Sequence, residues 1–139
     1  VLAGQSNKIE DNLNIFGQEL GMAYQLIDDA LDYSSSYEMM GKEVGDDLSE
    51  GKPTLPLIYA LERANPEMQM IIRDAITKKD ASHSNKIIDC IEQTGSLALT
   101  ESKARESSKK AIDSLKQLPN NQYKEALISL AEFTVNRSF

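Results

Sequence analysis

The chain has 139 residues, of which 40% are hydrophobic and 27% are charged, and its net charge is -7 because 22 acidic residues outnumber 15 basic ones. This length and hydrophobic content suit one folded domain with a real core. The negative balance argues against nucleic acid or an anionic membrane surface as the main partner, since both bind basic patches. An anionic ligand would have to be bound by particular lysines or by cations.

The chain has a single cysteine, Cys90, in an apolar periodic segment, and a single histidine, His83, in a polar one. Cys90 is expected to be a small buried hydrophobic residue, and an internal disulfide is impossible. A Cys/His nucleophile pair or a histidine-based metal site has no support. No apolar run approaches a membrane span, and no signal-peptide layout precedes residue 10. We predict a soluble, cytoplasmic protein of a reducing compartment without a transmembrane segment.

In chain order, apolar residues at helical spacing predict one long helix over residues 6–33. Residues 34–53 are polar, hold three glycines and lose this periodicity, which predicts a long functional loop with room for one short turn of helix. Residues 54–139 predict further helices in "LPLIYALERA", capped by Thr54, "EMQMIIRDAIT", "NKIIDCIEQTG", "SLALTESKARESSKKAIDSLKQL" and "QYKEALISLAEFTV". No strand pattern occurs, so we predict an all-α single domain over residues 1–139.

The long first helix carries an acidic stripe. Helical spacing places the following polar and small residues on one narrow face: Gln18, Gly21, Gln25, Asp28, Asp29 and Asp32. Apolar residues occupy nearly all the rest of the helix, the reverse of an ordinary surface helix. We therefore expect protein around this helix and a cleft in front of its acids.

Three carboxylates on one face repel each other and are costly to desolvate, so they need water, protons or cations. Mg²⁺ is the natural partner, because it prefers oxygen ligands and is usually held by one or two carboxylates plus substrate phosphates. Lys42 and Lys52, each after a glycine, would complete an anion site. A lone Asp-Asp pair could instead be solvated surface, and Gly-Lys is common in loops. Neither lysine belongs to a P-loop.

The stretches "GMAYQLIDDALDY" and "GKEVGDDLSEGKPTLPLIYAL" closely resemble the second aspartate-rich region of the trans-isoprenyl diphosphate synthases. The variant "DLSEGKPTLPL" is most similar to the long-chain, octaprenyl-type bacterial branch, and the likeness continues to "EALISLAEFTVNRSF". The resemblance implies the C-terminal half of an isoprenoid synthase-type helical bundle. Within it, residues 1–33 would be the metal-site helix, 34–53 the diphosphate-binding loop and 54–139 the helical remainder.

The resemblance also implies a reaction. Such enzymes join isopentenyl diphosphate head to tail onto an allylic diphosphate such as farnesyl diphosphate, with Mg²⁺ assisting departure of the allylic diphosphate. Asp28 matches the family's metal-binding acid, and Asp29 and Asp32 complete the motif and its water-mediated shell. Gln25 matches the substrate-facing glutamine, and Lys42 and Lys52 match the lysines that close over the allylic diphosphate. The full-length enzyme would form a homodimer, and its product would serve as a respiratory quinone side chain.

The sequence departs from the family in lacking the first aspartate-rich motif, its paired arginines and the basic residues for isopentenyl diphosphate. The chain also begins with Val1, as a fragment would, so we expect it to be inactive alone. A terpene cyclase or squalene-type synthase also uses helix-borne acids, although the Gly-Lys loop favours an elongating synthase. Two further alternatives are a non-catalytic partner subunit of a heteromeric prenyl synthase and a plain helical interaction module.

Overall fold

The computed structural model describes residues 4, 6–34 and 45–137. Helices occupy most of these residues, and the bounds are α1 Asn7–Leu31, α2 Asp46–Ser49, α3 Leu55–Arg63, α4 Pro66–Lys78, α5 Ser84–Gln93, α6 Ser96–Ser114 and α7 Gln122–Val135. Short 3-10 helices cover Ala81–His83 and Leu115–Gln117. No strand occurs within this described part, in agreement with the all-α prediction.

The helix bounds follow the sequence pattern closely. The predicted long helix over residues 6–33 is α1, and the short helical turn allowed in the loop is α2. The long helix predicted from residue 96 ends as an α-helix at Ser114 and continues for one 3-10 turn. Asn65 and Asn121 cap α4 and α7, because the side-chain oxygen of each accepts a backbone N–H of the first turn.

The prediction that the Thr54 side chain caps α3 is wrong. Thr54 occupies the N-cap position, but its side chain accepts no capping hydrogen bond. Its hydroxyl instead donates to the hydroxyl of Tyr33 at 3.4 Å. Pro56, in the first turn of α3, has no N–H to satisfy, which lessens the need for a side-chain cap at this end.

Two compact units divide the chain. Unit 1 consists of Val1–Ile27 and Ser102–Phe139, and unit 2 of Asp28–Glu101. In unit 1, a core forms around Phe16, Ala111, Leu115 and Ala131. The Ser108 hydroxyl donates to the Ala131 carbonyl at 2.8 Å, which joins α6 to α7.

Unit 2 has its own core, in which α3, α4 and α5 pack against each other and α2 packs against α4. Its largest completely buried apolar side chains are Tyr33, Leu48, Leu57, Ile72, Ile87 and Ile91. Cys90 belongs to this core, which confirms its predicted role as a small buried residue, and His83 is exposed as expected. The single-domain organisation stays a prediction.

The surroundings of α1 differ from our expectation. Phe16, Ala23 and Ile27 are buried, but other apolar side chains of the helix are exposed by 40–53%: Leu13, Ile15, Met22 and Tyr24. The described part of the chain therefore covers only one side of α1. Over the same residues, no helix combines the length and the apolar character that crossing a membrane requires.

Candidate functional site

The acidic stripe ends where α1 meets the following loop. Asp28 and Asp29 lie in the last turn of α1, and Asp32 follows its final residue in a turn. Asp29 and Asp32 are buried, with exposed fractions of 9% and 6%, whereas Asp28 is half-buried. Gln25 lies one turn earlier in the helix and is exposed. Asp28 is therefore the most accessible carboxylate of the three.

Asp32 accepts two hydrogen bonds from the residues at the start of α2. Its Oδ2 accepts the backbone N–H of Asp47 at 3.0 Å, and its backbone carbonyl accepts the N–H of Gly45 at 2.9 Å. Gly45 occupies the N-cap of α2 and has no side chain with which to cap the helix. Asp32 therefore satisfies a first-turn N–H of α2 from a distant position in the chain.

Burial governs the electrostatics of Asp32. Loss of solvent raises the pKa of the Asp32 carboxyl from 3.8 to about 6, and the negative charges of Asp46 and Asp47 act in the same direction. The hydrogen bond from the Asp47 N–H opposes this rise because it favours the ionised carboxylate. Asp32 thus holds a proton more tightly than an ordinary aspartate does.

Lys52 forms ion pairs with two nearby carboxylates of its own segment. Its Nζ lies 2.8 Å from Asp47 Oδ1 and 2.7 Å from Glu50 Oε2, and its backbone N–H donates to the Asp47 carbonyl at 2.9 Å. The hydrogen bonds to Asp47 and Glu50 raise the pKa of Lys52, so its ammonium stays charged. More than half of the Lys52 side chain is exposed, which leaves this charge available to an anion from solvent.

Two residues near Lys52 fix the shape of this loop. Gly51 adopts φ +71°, and a Cβ at this position would lie 2.8 Å from the carbonyl oxygen of Ile76. Only glycine tolerates both the left-handed backbone and this approach to α4. The ring of Tyr33 is completely buried, burial raises the pKa of its hydroxyl, and this hydroxyl accepts the bond from Thr54.

The structure brings together only part of the predicted site. Asp32, Asp47 and Lys52 form a continuous chain of contacts from the end of α1 to the Gly-Lys loop. Lys42 lies outside the described residues. Residue 25 falls within unit 1 and residues 28–32 within unit 2, so the role of Gln25 stays a prediction. The substrate-binding and catalytic roles of the lysines are likewise predictions.

The carboxylates of residues 28–32 suit a divalent cation that takes only one or two of its ligands from the protein. In the described ranges, no group of three or more His, Cys, Asp or Glu side chains is arranged to hold a metal ion. Mg²⁺ needs only one or two carboxylates when substrate phosphates complete its shell. Asp28 suits this role, since its carboxylate has no hydrogen-bond or ion-pair partner among the residues described. The assignment of Asp28, Asp29 and Asp32 to the metal site stays a prediction.

Sequence reasoning missed the structural part of this site. Asp47 is the partner of both Asp32 and Lys52, and the sequence pattern does not predict this role. Only the five-residue spacing of Asp47 and Lys52 across a glycine pointed to their ion pair. The contact between Asp32 and Asp47 crosses fifteen residues and has no local signal.

Comparison with known sequences shows the family to which the chain belongs. The Polyprenyl synthetase family profile matches residues 1–94. Octaprenyl diphosphate synthase of Escherichia coli K12 is 44% identical over 138 residues, which are 99% of this chain and 43% of that protein. Heptaprenyl diphosphate synthase component 2 of Bacillus subtilis is 32% identical over 139 residues, or 100% of this chain and 39% of the relative. The chain thus spans less than half the length of these relatives.

Solved structures give the same result for the fold. A polyprenyl synthase from Caulobacter crescentus CB15, complexed with calcium and isoprenyl diphosphate, has a TM-score of 0.85 at 37% identity. The match covers 97% of this chain and 42% of that structure. The predicted isoprenoid synthase-type helical fold and the resemblance found in the sequence are both confirmed. From its match over residues 1–94 and the structural similarity, this chain belongs to the polyprenyl synthetase family.

Proposed function

We propose that the chain is the metal-bearing part of a Mg²⁺-dependent polyprenyl diphosphate synthase with an octaprenyl product. The substrates would be isopentenyl diphosphate and an allylic diphosphate such as farnesyl diphosphate. The observation that carries the proposal is the contact chain Asp32–Asp47–Lys52, which ties a lysine of the Gly-Lys loop to the acidic end of α1. A cation-binding carboxylate and a mobile ammonium near one loop suit a diphosphate ligand.

Asp28 would hold Mg²⁺, with Asp29 and Asp32 ordering water around it and Gln25 facing the substrate. When bound, Mg²⁺ would neutralise the charge that develops on the departing diphosphate. Lys52 would add a second positive charge to the same group, together with Lys42. Lys52 already pairs with the carboxylates of Asp47 and Glu50, so a diphosphate would replace them as the anionic partner of an ammonium that is already charged.

The 139-residue chain would be inactive alone, because it covers 43% of its Escherichia coli relative and would lack further metal and substrate ligands. Similarity to the octaprenyl enzyme supports the chain-length class. The complete enzyme would be a cytoplasmic homodimer whose product supplies a quinone side chain.

A chimera tests this function directly. The chain would replace the matched segment of Escherichia coli octaprenyl diphosphate synthase, and the chimera would be assayed with farnesyl diphosphate, isopentenyl diphosphate and Mg²⁺. We expect a ladder of prenyl products ending at the octaprenyl length by mass spectrometry, and no product with a chelator. A folded chimera that makes no product would contradict the proposal. Turnover by the 139-residue chain alone would contradict its predicted inactivity.

A second candidate is a non-catalytic subunit of a heteromeric prenyl synthase. The relative from Bacillus subtilis is named as component 2 of its synthase, which favours an arrangement of more than one polypeptide. The three acids at residues 28–32 count against a non-catalytic role, since such a subunit has no need to keep them together. Calorimetry of the chain with Mg²⁺ and inorganic diphosphate separates the two, because only a catalytic part should bind diphosphate in a Mg²⁺-dependent manner.

A further inference from the structure

The backbone of Lys52 is hydrogen-bonded on both sides. Its N–H donates to the Asp47 carbonyl at 2.9 Å, and its own carbonyl accepts the N–H of Thr54 at 2.9 Å. The second of these hydrogen bonds closes a three-residue turn around Pro53, whose ring fixes the φ angle that such a turn requires. The point from which the Lys52 side chain extends is therefore set by Asp47 and Thr54.

Two consecutive residues after α1 support these two contacts. Asp32 accepts the N–H of Asp47 through its Oδ2 at 3.0 Å. The next residue, Tyr33, accepts the hydroxyl of Thr54 at 3.4 Å. The contacts form a closed ring within unit 2, which runs through Asp32, Asp47, Lys52, Thr54 and Tyr33. The segment after α1 therefore restrains the Lys52 backbone from its N-terminal and its C-terminal side.

The ring and the hydroxyl of Tyr33 have separate roles. The ring is completely buried in the unit 2 core, together with Leu48 of α2 and Leu57 of α3. A phenylalanine ring would supply the same packing, because the two side chains differ only by the hydroxyl. A buried hydroxyl is costly unless it has a hydrogen-bond partner, and Thr54 is the partner that the described structure provides. The presence of tyrosine at this position is therefore explained by the contact with Thr54.

The Thr54 hydroxyl is available for this contact because it does not cap α3. Thr54 occupies the N-cap position, and its side chain accepts no capping hydrogen bond. Its backbone carbonyl accepts the N–H of Ile58 at 3.0 Å, a bond that any residue at position 54 can make. Thr54 thus connects the completely buried Tyr33 to Lys52, whose side chain is exposed by 55%.

We propose that Tyr33 is a positioning residue of the diphosphate site, whose hydroxyl acts through Thr54 to fix the backbone from which the Lys52 ammonium reaches the diphosphate. The inference rests on the proposed function, because that function gives Lys52 its ligand. Since Tyr33 is completely buried, it acts through Lys52 and not by contact with the ligand. A side chain that extends from a fixed backbone loses less freedom on binding, so this contact favours affinity for the diphosphate.

The alternative is a purely structural role for the Tyr33 hydroxyl. In that case its removal would change stability, and any effect on substrate use would be independent of Lys52. Positioning predicts the opposite, because a group that acts through Lys52 has no effect once the lysine is absent. A double-mutant cycle between the two residues distinguishes these roles.

Kinetics of the Escherichia coli chimera provide the first test. Tyr33→Phe and Thr54→Val should each raise the KM for farnesyl diphosphate by about fivefold, the effect of one lost hydrogen bond, with kcat unchanged. The KM for isopentenyl diphosphate should not change. Thr54→Ser keeps the hydroxyl and should match the wild type. Tyr59→Phe is the control, since Tyr59 of α3 is half-buried and its hydroxyl has no partner among the described residues.

The double variant Tyr33→Phe/Lys52→Ala completes the cycle. Its KM for farnesyl diphosphate should equal that of Lys52→Ala alone. A further rise in the double variant as large as the rise caused by Tyr33→Phe in the wild-type background would overturn the proposal. An unchanged KM in Tyr33→Phe would also overturn it, as would a loss in Thr54→Ser equal to that in Thr54→Val.

Hydrogen exchange of the 139-residue chain tests the contact without catalysis. In Tyr33→Phe, the backbone amides of Lys52 and Thr54 should exchange faster by about threefold or more, because local opening becomes easier. Tyr59→Phe should leave both amides unchanged. Equal exchange in Tyr33→Phe and wild type would overturn the proposal. A wild-type chimera that makes no product, together with faster exchange in Tyr33→Phe, would instead refute the proposed function and support the restraint of the Lys52 backbone.

Discussion

The Asp32 carboxylate and the Asp47 backbone N–H meet at 3.0 Å, fifteen residues apart in the chain. This contact lets a residue at the end of α1 cap α2, whose own N-cap, Gly45, has no side chain. Asp47 in turn pairs with Lys52 at 2.8 Å. The position of Lys52 therefore depends on the same contact that begins α2, which couples the stability of the loop to the predicted diphosphate site.

Asp32 should make stability depend on pH. Burial raises its pKa to about 6, so the folded chain binds this proton more tightly than the unfolded chain does. The resulting stabilisation is complete below the ordinary pKa of 3.8 and is lost as the pH rises through about 6. Asp32→Asn keeps an oxygen acceptor for the Asp47 N–H without the charge, and should remove this part of the pH dependence.

Urea unfolding at pH 4.5 and 7.5, with a chelator present, measures the effect. The wild type should lose stability relative to Asp32→Asn between these two pH values. Asp32→Ala removes the acceptor and should be less stable than Asp32→Asn by about 1 kcal/mol. Parallel pH profiles for wild type and Asp32→Asn would show that Asp32 does not titrate in this range.

Gly51→Ala should destabilise the chain. Alanine would have to adopt φ +71° and place its Cβ 2.8 Å from the Ile76 carbonyl oxygen. We expect a loss of about 1 to 3 kcal/mol from strain and steric contact. Gly17→Ala is the matched control, since nothing lies within 4 Å of a Cβ in this helical position. It should increase the free energy of unfolding by about 0.5 to 1 kcal/mol. Shifts of the denaturant midpoint in opposite directions for the two variants, relative to wild type, would support the prediction. Equal shifts would refute it.

Asp28→Asn should abolish most activity of the chimera while leaving its fold intact. Asp28 has no protein partner in the described structure, so removing its charge breaks no contact there. If it holds Mg²⁺, kcat should fall by about 10²-fold or more, as for loss of a group that stabilises developing charge. Asp74→Asn changes an exposed aspartate on α4 and serves as control. Equal kcat for both variants would exclude Asp28 from the metal site.

Lys52→Ala should affect substrate use more than folding. The lysine is exposed and its ion pairs with Asp47 and Glu50 are solvated, so thermal unfolding of the chimera should change little. The KM for farnesyl diphosphate should rise by about tenfold because one charged contact to the diphosphate is lost. Lys103→Ala, which breaks an exposed pair with Glu106, is the control. An unchanged KM would remove Lys52 from the site.

The sequence by itself determined the helices, the acidic stripe and the family. Helix α1 and α7 follow from the 3.6-residue spacing of apolar side chains, and the stripe of Asp28, Asp29 and Asp32 follows from the same period. These features are local, because residues three, four or seven apart are neighbours on any helix. Their arrangement therefore does not depend on how the rest of the chain folds.

Tertiary structure decided how those residues are used. It assigned Asp32 to the cap of α2, paired Lys52 with Asp47 and Glu50, and directed the Thr54 hydroxyl to Tyr33 instead of α3. It also left Met22 and its neighbours on α1 exposed. A periodic pattern shows that a side chain is apolar or charged, but its partner depends on which distant segment the folded backbone brings within hydrogen-bond or packing distance.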